Sequence, residues 1–215
     1  MSHRTYKLTE AADHYLVQFE CDVRSISSAP YNGGCGLRRR YINRHVNNNY
    51  ASDVKVEVEE FLMLKGIPDS GTVVTLTAAD ISKYVRMSKR VGDWYIDLFL
   101  TAGLDNALSI GNRYGKPGTI NIAVITDMPL NQSAMVNLIQ SIVESKAQFM
   151  NDHDVRDIRT DRRAPGTSTD TVSIFVTTAE EKLEYAGRLT DAGYYTSMMV
   201  YNALALSHKS NRDRS

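Results

Sequence analysis

Apolar and polar positions fall into short blocks along the chain, and most of the blocks are strand-like. Residues 71–77, 94–101, 120–126 and 171–178 are nearly unbroken apolar runs bounded by small or turn-forming residues, the pattern of strands buried on both faces. Residues 14–20 and 22–28 alternate more loosely and predict an antiparallel hairpin or two edge strands. The clearest helix starts at Asn131, an N-cap residue after Pro129-Leu130, and runs to about Met150. It gathers Ala134, Met135, Leu138, Ile139, Ile142, Phe149 and Met150 on one face. Lys146 falls about 120° from Ala134, inside that stripe, so its ammonium must reach an edge or an anionic partner, while Glu144 points to the opposite, wet face. Residues 187–206 predict a last helix in which Leu189, Gly193, Ser197, Met198 and Tyr201 pack and Val200 and Leu204 extend the face. Residues 81–90 read as a short helix, and 52–64 start with period two and end helical, closed by Gly66-Ile67-Pro68.

These elements predict an α/β fold: a single domain with a mixed central β-sheet flanked by helices. The domain spans residues 13–207, with an N-terminal extension over 1–12 and a polar tail over 208–215. A chain of 215 residues is long enough to bury a substantial core. There is no internal repeat.

Charge narrows the function classes. With 25 Lys and Arg against 25 Asp and Glu, no overall field recruits nucleic acid or an anionic membrane. The basic, aromatic-interleaved run Arg38–Tyr50 is therefore a local anion site or a solvated face. Two cysteines, Cys21 and Cys35, make neither a disulfide framework nor a zinc pattern. No signal-peptide-like start and no spanning-length apolar stretch is present, which predicts a soluble cytoplasmic protein.

The candidate chemistry lies in loops that abut the apolar strands. Foremost is Ala164-Pro165-Gly166-Thr167-Ser168-Thr169-Asp170, where small residues, hydroxyls and a carboxylate stand at the mouth of a strand. Similar loops are 28–34, 77–79, 101–107 and 118–121. Gly33, Gly34 and Gly36 allow positive φ and an anion-binding nest, but no Walker loop or dinucleotide fingerprint is present. His45 lies among other polar candidates and has the right ionisation range for proton transfer, whereas His14 and His208 read as structural. No His, Asp and Glu cluster suggests a metal centre.

Taken in order, the loops resemble the adenosylcobinamide amidohydrolase family of corrinoid-salvage enzymes. The stretches that carry the likeness are 28–34, 41–46, 77–79, 101–107, 118–122, Ala134-Met135, Glu144-Ser145-Lys146 and 166–170, spread over roughly residues 25 to 205. Ala164-Pro165, Ser168, Ser145 and Cys35-Gly36 depart from the family pattern. The resemblance favours helix for the second half of 52–64. It implies hydrolysis of the amide between aminopropanol and a corrin propionate, giving adenosylcobyric acid, with cobalt entering only as part of the substrate and no cofactor of the enzyme's own. Under that reading Asp170 is the base or an orienting carboxylate, His45 carries a proton, and Asn32, Gly33 and Thr167 donate to the carbonyl or oxyanion. Asn43, Asn106, Thr119 and Asn121 read the corrinoid amides, Gly34, Gly166 and Thr169 complete the binding set, and Lys146 holds a carboxylate, Asp170 or Asp105. A hydroxyl nucleophile (Thr167, Ser168 or Thr169) and Cys35 are the rivals for attack. The alternative function is a non-catalytic protein that binds a corrinoid or a phosphorylated small molecule. The expected partner is the corrinoid, with no nucleic acid or membrane and a possible homo-oligomer.

Overall fold

The structure is a computed structural model that describes residues 5–47, 53–114 and 118–212. Along the chain run β1 (Tyr6–Glu10), β2 (His14–Ser27), β3 (Gly34–His45), α1 (Val54–Lys65), β4 (Thr72–Thr77), β5 (Val85–Val91), β6 (Trp94–Ala102), β7 (Ile120–Thr126), α2 (Gln132–Asp152), β8 (Thr171–Val176) and α3 (Asp191–Arg212). The strands form one mixed sheet in the order β4-β3-β2-β8-β7-β6-β5, with β1 paired to β2. The pairs β3–β4 and β7–β8 are parallel and the others antiparallel.

Period-two alternation gives this sheet two buried faces. Tyr41, Phe99, Ala123 and Phe175 enter one cluster, while their neighbours Ile42, Leu98, Val124 and Ile174 enter others. The first face is a nest of rings that includes Tyr15, Phe19 and Tyr41. On the opposite side α2 and α3 pack over β5 to β8, and α1 covers β3 and β4 through Val58, Phe61 and Leu62. The sheet is strongly curled: Asn43 of β3 donates to Thr101 of β6 at 2.9 Å, although β2, β8 and β7 lie between them in strand order. Flat, those strands would be about 19 Å apart. A register shift in the β2–β3 pairing between Gln18 and Val23 lets the long hairpin bend over.

Several expectations are corrected. The predicted hairpin of 14–20 and 22–28 is one strand, because β3 is long enough to pair with both halves. The basic run as far as His45 forms the second half of β3, with its Tyr41-in, Ile42-out alternation hidden between arginines. Residues 81–90 make only a turn of 3-10 helix at Ile81–Lys83 and then β5, whose Val85, Met87 and Val91 pack on the core. The valine alternation at 54–58 belongs to a helix, capped by Asp53, which accepts from Lys55 N and Val56 N, and closed by Gly66 at φ 64. The last helix begins at Asp191 rather than 187; Leu189 and Met198 are exposed, while Val200 and Leu204 are buried. It continues to Arg212, into the residues read as a polar tail, and the residues read as an extension contain β1. Residues 1–4, Asn48–Tyr50, Ser52 and 213–215, which also fell within those readings, lie outside the described residues.

Candidate active site

The aromatic face of the sheet turns polar at one end. Moving outward along β3, β6, β7 and β8, the ring-bearing positions give way to Asn43, Thr101, Asn121 and Thr171, with Thr75 beside them on β4. These side chains are joined: Asn121 donates to Asn43 Oδ1 at 2.8 Å and to the Leu76 carbonyl at 2.9 Å, and Thr171 donates to Asn121 Oδ1 at 2.8 Å. Thr75 donates toward Asn43 Oδ1 at 3.0 Å and Asn43 to Thr101 Oγ1 at 2.9 Å. The layer closes the interior and forms a floor.

Above the floor lie two adjoining cavities. The larger, about 600 Å³, is bounded by Ala78-Ala79, Thr101–Asn106, Gly118-Thr119, His153–Val155 and Ser207-His208. The smaller, about 350 Å³, is bounded by Ser28, Pro30, Val46, Leu76–Ala78, Thr119 and Thr169–Thr171. They share Ala78 and Thr119. At that seam the Thr119 and Thr169 hydroxyls are 2.6 Å apart, and Thr169 donates to the Gly118 carbonyl at 2.7 Å.

Beside the seam stands a buried ion pair. Lys146 Nζ from α2 donates to Asp170 Oδ2, and both side chains are almost wholly enclosed. The same carboxylate accepts from Thr167 N at 3.1 Å and, on Oδ1, from Ile120 N at 2.9 Å and from the Thr167 hydroxyl. With the ammonium and an amide on one oxygen and an amide and a hydroxyl on the other, Asp170 has the geometry of a carboxylate that fixes the loop. Gly166 is required here, because a Cβ would collide with both Asp170 Oδ2 and Lys146 Nζ.

The structure thus brings together Lys146, Gly166, Thr167, Asp170, Thr119 and Thr169, and adds Asn106 on the wall of the larger cavity. It separates the others. Asn43 and Asn121 are fully buried, spent on tying strands beneath the cavities, so they do not face a ligand as substrate readers must. Asn32, Gly33 and Gly34 line neither cavity: Asn32 (φ 51) donates to the Thr72 carbonyl at 3.0 Å, and Arg38 occupies the Asn32 and Gly33 carbonyls. The glycine cluster makes a turn, not an oxyanion cradle. His45 continues the inward register one step beyond Asn43 and holds the Ala79 carbonyl at 3.1 Å, but it lines neither cavity. Asp105 lies on the larger cavity, and the partner of Lys146 is Asp170. The arginines of the basic run bind protein groups: Arg44 pairs with Glu57 at 2.8 Å over the Phe61 ring, and Arg40 reaches the Ser70 carbonyl.

Sequence reasoning missed His153, and placed His208 as structural although it too lines the larger cavity. No sequence signal joins them, since their proximity depends on how the ends of α2 and α3 cross. It also missed Asp157, which accepts from Tyr114 Oη at 2.6 Å, Ser109 Oγ at 2.9 Å and Asn112 Nδ2 at 3.1 Å. Burial pushes this carboxyl up, but the donors outweigh it and hold it well below the usual carboxylate range. Asp157 thereby clamps the segment that follows Leu104–Asn106. Asp154, on the cavity wall, is held low by Arg156 and Arg163. Among the described residues no three His, Cys, Asp or Glu side chains gather as a metal site, and no helix is long and apolar enough to cross a membrane.

The model of the adenosylcobinamide amidohydrolase family matches residues 2–215. The chain belongs to this family. As an amidohydrolase it needs a nucleophile, donors for the tetrahedral oxyanion and a proton for the leaving amine, and the hydroxyl seam beside a fixed carboxylate offers groups of that chemistry. Among curated proteins none matches the chain. Solved structures similar to it include L-aminopeptidase D-Ala-esterase/amidase from Ochrobactrum anthropi, with 12% identity over 94% of this chain and 82% of that one and a TM-score of 0.45. The PH0078 protein from Pyrococcus horikoshii OT3 gives 10%, 94%, 78% and 0.47, and a Burkholderia sp. beta-aminopeptidase gives 12%, 94%, 80% and 0.45.

Proposed function

We propose that this amidohydrolase cleaves the amide joining aminopropanol to the corrin ring of adenosylcobinamide, releasing adenosylcobyric acid and 1-amino-2-propanol. The observation that carries the reading is the seam: two cavities of unequal size meet at Thr119, with Thr169 and the Asp170–Lys146 pair on the smaller side. A substrate with a broad amide-bearing macrocycle and a small amino-alcohol suits such a division, with the scissile bond over the shared wall. The cobalt belongs to the substrate.

In this reading Asp170 is the orienting carboxylate, held by Lys146, and keeps Thr167 and the loop rigid. Thr119 and Thr169 touch the amide. Attack comes from the Thr169 hydroxyl or from a water held on the pair; the carbonyl carbon gains oxygen, and the C–N bond breaks as nitrogen takes a proton. The experiment is to incubate purified protein with adenosylcobinamide and follow adenosylcobyric acid and the free amine by chromatography. Release of both is expected. Tight binding without amine release sinks the reading in favour of a corrinoid-binding protein. A burst of amine equal to the enzyme concentration, absent in Thr169→Ala, identifies the hydroxyl as nucleophile; near wild-type turnover in Thr169→Ala assigns water. His45→Ala with near wild-type turnover removes that histidine as proton carrier.

A further inference from the structure

The wall of the larger cavity includes an imidazole oriented through a backbone carbonyl, and we propose that His153 supplies an axial ligand to the cobalt of the bound corrinoid. The inference rests on the corrinoid reading above. His153 closes α2 as its C-cap residue, with Nδ1 3.0 Å from the Phe149 carbonyl oxygen. A carbonyl only accepts, so Nδ1 is the donor nitrogen, and Nε2 is the nitrogen left to bind a metal when the ring is neutral. Metal-binding histidines are held in this way, with the far nitrogen tied to a backbone carbonyl that fixes tautomer and ring orientation. The ring is also packed: it stacks on Phe149 with centroids 4.1 Å apart, flanked by His208 at 5.9 Å and Tyr201 at 6.1 Å. It stands on the wall of the larger cavity.

Two further observations single out cobalt and this residue. Among the described residues no three His, Cys, Asp or Glu side chains gather around His153, so the wall does not offer the ligand set of a free-cation site. One imidazole suffices, however, for a metal whose equatorial positions a macrocycle already fills. His45 has the same lock, through the Ala79 carbonyl, but lines neither cavity. The spacing on α2 also fits. His153 follows Lys146 by close to two full turns, on the same side of the helix and about 10 Å along it. Cobalt at His153 and the scissile amide near the Asp170–Lys146 pair are then separated by roughly the reach of a propionate arm from the ring. The step is a ligand exchange: the Co–O bond to the axial water breaks, Nε2 donates its lone pair to form Co–N, and no electron or proton is transferred. The adenosyl group is left on the opposite face of the ring.

Electron paramagnetic resonance of protein loaded with cob(II)inamide tests this directly, because a nitrogen-14 axial ligand splits each cobalt line of the low-spin Co(II) into a triplet. The triplet is expected in the wild type, is expected to become a doublet when the protein carries nitrogen-15 histidine, and is expected to vanish in His153→Ala and return on adding free imidazole. The nitrogen-15 arm uses the native chain, so it stands even where the variant folds poorly. No triplet in the wild type, or one that survives in His153→Ala and disappears in His208→Ala, overturns the assignment. Amine release from adenosylcobinamide is measured on the same wild-type preparation. Cleavage without a triplet removes the cobalt ligand and leaves the hydrolase reading standing, whereas neither cleavage nor corrinoid binding removes both.

Discussion

Lys146 is 9% exposed on the packed side of α2, where an ammonium without a partner costs several kcal/mol. Its place is intelligible only with Asp170. Removing the cation strands the carboxylate, so Lys146→Met is expected to lose about 3 kcal/mol of unfolding free energy, tempered by the amides that still serve Asp170. Asp170→Asn has its own conflict, since its NH2 must face either Lys146 and the Thr167 amide or the Ile120 amide, all of them donors. Urea unfolding of both single variants and of the double variant measures the coupling; about 1–3 kcal/mol is expected between groups in direct contact, and strictly additive losses would show that the pair is not a unit. Gly166→Ala probes the same spot sterically. A methyl group aimed at both charged atoms is expected to cost about 1–3 kcal/mol and to abolish turnover by displacing the loop; a fully active, equally stable variant would mean that the loop is freer than its contacts imply.

At the scale of elements, much of the sheet was legible because strands covered on both faces are apolar along their length; β4, β6, β7 and β8 stand close to where the runs of Val, Ile, Leu and Phe placed them. Helix α2 was legible through its cap and stripe, and the 166–170 loop through its composition. What the chain concealed depends on curvature. β3 and β5 carry arginines on their outward positions, so their alternation was masked, and the choice between floor and rim at Asn43, Asn121 and Thr171 follows from a curl that no local pattern encodes. The distinction between the layers is testable. Asn121 serves Asn43, Leu76 and Thr171 with full burial, so Asn121→Ala is expected to lower stability in urea by about 2 kcal/mol by leaving those groups unanswered. Asn106→Ala, on the cavity wall, is expected to raise KM with little change in stability. A reversal of the two outcomes would place Asn121 at the substrate and Asn106 in the scaffold.

For the whole molecule, the feature that dominates is an interior of neutral tyrosines inside a curled sheet. Burial pushes Tyr41 up to about 12 and Tyr15 well above its ordinary value; Tyr84, at the edge of the same cluster, is pushed up to about 12 by burial and then by its acceptor Glu10. In the unfolded chain these phenols ionise near 10. Below that pH neither state gives up the proton and the full stability is present. Between about 10 and 12 the unfolded chain sheds protons that the folded one retains, so stability falls as pH rises, by up to about 1.4 kcal/mol per pH unit for each such phenol. Urea midpoints taken across the alkaline range are therefore expected to be level up to about pH 10 and then to drop steeply, with the tyrosinate signals of the sealed Tyr15 and Tyr41 appearing only as the protein unfolds. Replacing Tyr41 by Phe loses its 2.9 Å contact with Thr75, lowering the plateau, but also removes one titrating group and so makes the alkaline slope shallower. Tyrosinate signals from Tyr15 and Tyr41 in the still-folded protein near pH 10, or an unchanged slope in Tyr41→Phe, would mean that water reaches the rings and that the curled sheet does not seal its interior.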